Sequence, residues 1–180
     1  MKYLAIDPGL RNCAAVIVEV KRGDPLWGRG SPPVSAKLLW SRVASLHVDS
    51  GTNPGDSLAE QFGEEVLSAV RTHGPIRRVL VEYQPPLNTA SNPALVRWNS
   101  WIEGFYLAWF KAAGFDTKRA YSASVRHFFR IEGRTHAVNK RLSVIKALTY
   151  LEMEMDEEQS LSDHEADGIL MAIYEHTHNF

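Results

Sequence analysis

Three carboxylates and one imidazole lie at positions along this chain where they could meet around a divalent cation. Asp7 and Glu82 each follow a short apolar run of the kind that forms a buried strand. His164 and Asp167 are three residues apart near the C-terminus, so they share one face of a helix. A carboxylate at the end of a buried strand is costly unless it is solvated or bound to a cation. Carboxylates gathered around divalent metal are the arrangement needed to hydrolyse a phosphodiester.

The four positions are not equally informative. Asp7 begins an Asp-Pro-Gly sequence, which is also typical of a turn. Glu82 is stronger evidence, because a glutamate after Val-Leu-Val departs from ordinary strand preference. Asp163 and Asp167 form a competing pair four residues apart, so the sequence leaves open whether His164 or Asp163 is the fourth ligand. Carboxylate oxygens suit Mg²⁺ or Mn²⁺, and Mn²⁺ tolerates an imidazole better.

The composition is that of an ordinary globular protein. The 180 residues are 44% hydrophobic and 23% charged, which predicts one domain over residues 1–180. The sequence contains no apolar run long enough for a membrane helix and no leader pattern at its start. The single cysteine, Cys13, cannot form an intrachain disulfide. We therefore expect a reducing intracellular compartment (cytoplasm, nucleoid or virus factory), no secretion and no membrane partner.

Opposite charges are concentrated in neighbouring segments. Residues 111–146 carry nine Lys and Arg against two acids, whereas residues 147–180 carry nine acids and no Lys or Arg. This pattern suits an enzyme that grips a polyanion with one surface and holds metal with another. Charge segregation between two solvated faces explains the same pattern.

Periodicity and turn residues predict an α/β layer structure. The predicted strands cover residues 2–6, 13–20, 36–48, 77–82 and 116–120. The predicted helices run from a cap at Asp56 or Ser57 to about His73, over residues 94–113, from Ser122 or Ser124 to Phe129, from Asn139 or Lys140 to about Leu151, and onward from a cap at Ser162. The Gly- and Pro-rich residues 21–33 and the polar residues 84–93 are expected loops. If the first and fourth strands are neighbours, Asp7 and Glu82 end side by side.

The helix predicted over residues 94–113 is apolar on more than one side. One side can pack on the sheet, and the other needs a second partner. That partner is either another subunit, with residues 94–110 as the candidate homodimer interface, or the rest of a monomeric core.

Three segments resemble the motifs of the RuvC-type Holliday-junction resolvases. They read IDPGLRNCAAVIVE near the start, LVEYQ in the middle and DHEADGILMAI near the end. Chain length and the middle motif resemble the poxvirus-type branch in particular. The resemblance implies an RNase H-like fold, a five-stranded mixed sheet whose first three strands are antiparallel, flanked by helices. It also implies a homodimer that cuts branched DNA with two metal ions in each site.

The resemblance carries functional roles onto residues of this chain. Its metal-binding positions fall on Asp7, Glu82, His164 and Asp167. The segments SVRHFF and VNKRLSVIKAL resemble those that place basic residues near the scissile phosphate, here Arg126, Lys140 and Arg141, with Lys140 also a catalytic candidate. Further candidate DNA contacts in the basic stretch are Lys118, Arg119 and Arg130. Family members place an aromatic wedge where this chain has Pro85, and Tyr83 is the nearest aromatic.

The expected activity is metal-dependent resolution of four-way DNA junctions by paired, symmetric phosphodiester hydrolysis. Two Mg²⁺ ions per site, with Mn²⁺ able to substitute, would serve that reaction. An alternative is an RNase H-like nuclease acting on flaps, forks or other branches. A third possibility is an actin-like or sugar-kinase-type ATP-binding protein, since Ile-Asp-Pro-Gly before a strand also resembles the first phosphate loop of those proteins.

Overall fold

The computed structural model of the chain is built around one five-stranded sheet. The structure describes residues 1–9, 12–22, 34–46, 56–84, 93–133, 135–151 and 161–178. The strands are β1 (Lys2–Pro8), β2 (Cys13–Arg22), β3 (Val34–Ala44), β4 (Arg78–Glu82) and β5 (Thr117–Ala120), in the order β3-β2-β1-β4-β5. The helices are α1 (Asp56–His73), α2 (Pro93–Ala112), α3 (Ser122–Phe129), α4 (His136–Tyr150) and α5 (Asp163–His178).

Strand pairing confirms the predicted mixed sheet. β1 pairs antiparallel with β2, and β2 pairs antiparallel with β3. β4 lies parallel to β1 on one side and parallel to β5 on the other. Because Ile6 pairs with Val81, the next residues, Asp7 and Glu82, lie at the same edge of the sheet. β1 and β4 are therefore neighbours, which is the condition under which the sequence predicted that Asp7 and Glu82 end side by side.

Each face of the sheet carries its own apolar core. Alternate residues of the strands point to opposite faces, as the period of a strand requires. On one face, α3, α4 and α5 pack with strand residues such as Ala5 and Val16; on the other, α1 and α2 pack with strand residues such as Leu4 and Ile17. None of the described helices combines the length and apolar character needed to cross a bilayer.

Helix α5 approaches the sheet unusually closely. A Cβ built on Gly168 would lie 2.7 Å from Val16 Cγ2, so only glycine fits there without a shift. Ile169, Leu170 and Ile173 are fully buried, as predicted for the inward face. The small residue beside Asp167 thus brings that carboxylate close to the sheet.

Several predicted boundaries are wrong by a few residues. β1 continues past Ile6, because Asp7 pairs with Ala14 and Pro8 with Cys13. β2 continues through Arg22, which shortens the loop predicted over 21–33, while residues 23–33 lie outside the described part. β3 covers Val34–Ala44 rather than 36–48.

Helix α4 begins earlier than predicted. Its first residue is His136, because Thr135 acts as N-cap and its side chain accepts a hydrogen bond from Val138 N. Asn139, one of the predicted starting residues, instead accepts a hydrogen bond from Gly133 N through Oδ1.

The buried face of α2 follows one line of residues along the helix. The fully buried side chains are Ile102, Tyr106 and Phe110, whereas Trp98, Phe105 and Trp109 are only half-buried. Spacing by four residues places the first three on the line that meets the sheet.

Candidate active site

The structure brings Asp7 and Glu82 into contact at the edge of the sheet. Both residues are 8% exposed, although both are acids. Burial raises the pKa of Glu82 well above its usual range, and the negative charge of Asp7, a hydrogen bond with Asp7 and the charge of Asp167 raise it further. A hydrogen bond with Ser122, the first residue of α3, opposes this shift. Asp7 and Glu82 therefore form a buried acid pair in which the ionised form of Glu82 is disfavoured.

Helix α5 places His164 against the same aspartate. His164 Nδ1 lies 2.6 Å from Asp7 Oδ2, and Gln84 Nε2 donates to the other oxygen, Oδ1, at 3.4 Å. The hydrogen bond with Asp7 raises the pKa of His164, although burial acts in the opposite direction. Asp7 thus contacts Glu82 on one side and His164 on the other.

Asp167 lies next to Glu82 in a small pocket. The two carboxylates line this pocket with Ser122 and Arg126, and its apolar wall consists of Val125, Ile131, Leu170 and Met171. Burial raises the pKa of Asp167, whereas a hydrogen bond with Ser143 of α4 and the positive charge of Arg126 lower it. Arg126, which was predicted to lie near the scissile phosphate, thus lines the same pocket as Glu82 and Asp167.

Lys140 and Asp163 join helices α4 and α5 beside this pocket. Lys140 Nζ forms an ion pair with Asp163 Oδ2, and His164 Nε2 is 3.9 Å from the same oxygen. Burial opposes the shift, but the hydrogen bond from Lys140 and the charge of His164 lower the pKa of Asp163. Asp163 is therefore engaged with Lys140, whereas His164 contacts Asp7.

The donor set fits a hard divalent cation in type. Three carboxylates and an imidazole are suitable ligands for Mg²⁺ or Mn²⁺. A dication would offset both the cost of burying a charged Glu82 and its repulsion from the neighbouring acids. Within the described ranges, however, no group of three or more His, Cys, Asp or Glu side chains is arranged to hold an ion as it stands. Asp7 instead bonds to Glu82 and His164. Occupation by metal therefore requires these side chains to exchange their mutual hydrogen bonds for the ion.

Four of the predicted DNA-contacting residues fall into two groups in the structure. Arg130 and Arg141 are exposed. On β5, Lys118 Nζ lies 3.0 Å from the buried Glu175, and Arg119 Nε lies 2.6 Å from the buried Glu103. Lys118 and Arg119 lie on opposite faces of β5, which is a strand at the edge of the sheet. Lys118 partly neutralises a glutamate of α5, and Arg119 partly neutralises a glutamate of α2.

Several residues near the site had no distinctive sequence pattern. Ser122 and Ser143 bond to Glu82 and Asp167, respectively, but single serines in helices carry no such signal. Tyr121 is 51% exposed, and its ring centroid lies 5.2 Å from that of Tyr83. Its position could be inferred only once β4 and β5 were known to be neighbours.

Glu103 was also missed, although it stands out once its burial is known. This 3%-exposed residue of α2 accepts a hydrogen bond from Gln84 N at 3.0 Å, just after Glu82. Its other oxygen pairs with Arg119 in a geometry outside that of a hydrogen bond. Helix α2 therefore fixes the course of the chain as it leaves the candidate site.

Comparison with known proteins identifies the fold. No family model and no curated protein matches the sequence. Among solved structures, Thermus thermophilus RuvC in complex with Holliday junction substrate matches with 19% identity and a TM-score of 0.70, over 98% of this chain and 96% of that chain. A second structure of Thermus thermophilus RuvC matches with 20% identity and a TM-score of 0.66, over 99% and 97%.

A yeast protein extends the similarity. The yeast mitochondrial Holliday junction resolvase Ydc2 matches with 12% identity and a TM-score of 0.51, over 99% of this chain and 82% of that chain. Identities this low establish the architecture and not the activity. The sheet order, the antiparallel first three strands and these matches together confirm that the chain has the RNase H-like fold of the RuvC-type resolvases.

Proposed function

We propose that this protein is a divalent-metal-dependent endonuclease that resolves four-way DNA junctions. The observation that supports it most is the meeting of Asp7 and Glu82 from adjacent parallel strands with Asp167 from α5. The second support is the shared fold with a RuvC structure bound to Holliday junction substrate. A protein that uses the fold only as a scaffold would share the fold, but it is not expected to gather three carboxylates in this way.

Asp7, Glu82, His164 and Asp167 are the proposed metal ligands. Two Mg²⁺ ions, or Mn²⁺ in their place, would activate a water molecule and stabilise the leaving oxygen of the cut strand. Asp7 has neighbours on both sides, since its carboxylate contacts both Glu82 and His164, and this position suits a ligand shared between two ions. Glu82 and Asp167 line the same pocket, so each can complete one side of it.

The neighbouring polar side chains have separate proposed roles. His164 either binds metal or accepts a proton, because its ring already forms a hydrogen bond with the carboxylate of Asp7. Arg126, which lines the pocket with Asp167, and Lys140, at the edge of the site, would offset negative charge that builds on the phosphate.

The proposed DNA surface extends from this pocket over α3 and α4. The exposed Arg130 and Arg141 provide charge for backbone phosphates, which holds the duplex without reading its sequence. Lys118 and Arg119 stay candidates, although part of their charge is used by buried glutamates. Tyr83, together with Tyr121, offers aromatic surface to DNA beside Glu82.

The proposed assembly is a homodimer with an interface over residues 94–110. A four-way junction needs two symmetric cuts, and hence two sites related by a two-fold axis. The half-buried aromatic side chains of α2 support this choice, since Trp98, Trp101 and Phe105 contact one another along the helix. A DNA substrate also fits a reducing intracellular compartment, in which the buried Cys13 stays a free thiol.

The proposed function is tested by cutting synthetic DNA of different shapes. We expect a four-way junction to be nicked symmetrically in Mg²⁺ and in Mn²⁺, and a linear duplex of the same sequence to stay intact. EDTA should stop the reaction. Preferential cutting of a flap or fork would assign the site to a different branched substrate, and absence of cutting in either metal would refute the nuclease.

A further inference from the structure

We infer that Asp163 is a positioning residue that holds the ammonium group of Lys140 at the edge of the candidate active site. This inference rests on the proposed function, and it concerns a residue for which the sequence left a metal-binding role open. The structure assigns Asp163 a different partner, because its Oδ2 pairs with Lys140 Nζ.

Two polar contacts join described residues of α4 and α5 on the side of the acids. Lys140 of α4 meets Asp163 of α5, and Ser143 of α4 meets Asp167 of α5. The spacing is three residues on one helix and four on the other, so both contacts lie on the facing surfaces of the two helices. The same packing that presents Asp167 to Glu82 therefore presents Lys140 to Asp163.

Capping of α5 does not account for the position of Asp163. Glu165 N donates to Ser162 Oγ at 3.2 Å, and Ser162 N donates to Glu165 Oε2 at 2.9 Å. This reciprocal arrangement is a capping box, which already satisfies the first turn of the helix. The Asp163 carboxylate is thus available for Lys140, whose side chain is 38% exposed and would otherwise sample many rotamers.

Metal binding accounts for Asp163 less well than for His164. The His164 ring reaches Asp7 through Nδ1 at 2.6 Å, whereas the shortest contact of Asp163 is with a cation on a neighbouring helix. An acid that holds Lys140 restricts the positions in which the ammonium group can meet a phosphate. Such orientation of a catalytic group increases the reaction rate, although Asp163 itself makes no contact with the metal.

The contact itself can be tested without DNA or metal. In protein labelled with ¹⁵N at lysine, the side-chain ammonium signal of Lys140 should be observable in the wild type and lost to exchange in Asp163→Asn. Lys140→Arg assigns the signal. Breaking a remote exposed ion pair with Glu65→Gln, whose partner is Arg42 at 3.0 Å, should leave the Lys140 signal unchanged. A Lys140 signal unaffected by Asp163→Asn would overturn the inference.

Its consequence for cleavage is tested by a double-mutant cycle. Asp163→Asn should lower kcat on a four-way junction by roughly three- to tenfold, with KM and the Mn²⁺ midpoint unchanged. In a Lys140→Ala background the same substitution should have no further effect, and Asp163→Glu should restore part of the rate.

Three results would contradict the positioning role: a shifted Mn²⁺ midpoint in Asp163→Asn, an equal loss of rate in both backgrounds, or full activity of the single variant. A wild-type protein that cuts no branched DNA would instead refute the proposed nuclease. The ammonium signal would still decide whether Asp163 holds Lys140, so the two failures are distinguishable.

Discussion

At the scale of single residues, the site is a cluster of buried acids in which burial raises the pKa of Glu82 and of Asp167. Burial and the negative charges of Asp7 and Asp167 favour the protonated form of Glu82, which can donate a hydrogen bond to Asp7. His164 supplies positive character to the other side of Asp7. A cation bound to these side chains would displace the proton of Glu82, so metal affinity should rise with pH.

The stability of the metal-free protein should therefore fall as pH rises. The pKa values of Glu82, Asp167 and His164 are all raised in the folded state, so the folded state binds more protons than the unfolded chain above their ordinary values. Unfolding then becomes easier as pH rises above the ordinary pKa values of these groups, whereas the lowered pKa of His176 acts in the opposite direction. Urea denaturation at several pH values, with and without Mg²⁺, measures this.

The matched variant is Glu82→Gln, which removes the most strongly perturbed carboxyl group. It should flatten the decline in stability, whereas Mg²⁺ should stabilise the wild type more at the higher pH. A stability that rises steadily with pH above these ordinary pKa values in the metal-free wild type would contradict the description of the acid cluster.

At the scale of elements, the site depends on how closely α5 approaches β2. Gly168→Ala should cost about 1–3 kcal/mol of stability, because the added Cβ would lie 2.7 Å from Val16 Cγ2. Displacement of α5 should also weaken Mn²⁺ binding through Asp167. Calorimetry measures both quantities. Gly104→Ala in α2 is the control, since a Cβ at Gly104 meets nothing within 4 Å, and an equal loss of stability in both variants would contradict the argument.

Much of this element-scale arrangement could be predicted from the sequence. The strands, the last helix and its Ser162 cap follow from hydrophobic period and capping residues, and the apolar runs before Asp7 and Glu82 indicated that both acids end strands. The start of α4 was missed, because a Thr135 cap followed by His-Ala-Val carries little helical period.

What the sequence could not provide is the pairing of side chains from different elements. The contact of Asp163 with Lys140 depends on the rotation of α4 against α5, and that of Glu103 with Gln84 depends on where α2 crosses the sheet. The sequence pattern within a single helix indicates neither its rotation against a neighbouring helix nor the point where it crosses the sheet. For the same reason Lys118 and Arg119 were predicted only as DNA contacts, although each pairs with a buried glutamate.

At the scale of the whole molecule, the proposed function requires two copies of the chain. The homodimer prediction can be tested with Gly104→Glu, since a side chain at this exposed position has open space in the monomer. If residues 94–110 form the interface, sedimentation should give a dimer for the wild type and Gly104→Ala and a monomer for Gly104→Glu. A wild-type monomer at micromolar concentration, or a dimer in all three, would refute this interface.

We propose that Asp7 belongs to a metal-dependent cleaving site. The decisive experiment compares binding and nicking of one labelled four-way junction by the wild type and Asp7→Asn in Mg²⁺. We expect the variant to bind with nearly unchanged affinity and to lose nicking by roughly a hundredfold or more. Nicking that survives in Asp7→Asn, or binding that is lost to the same extent as nicking, would contradict the account.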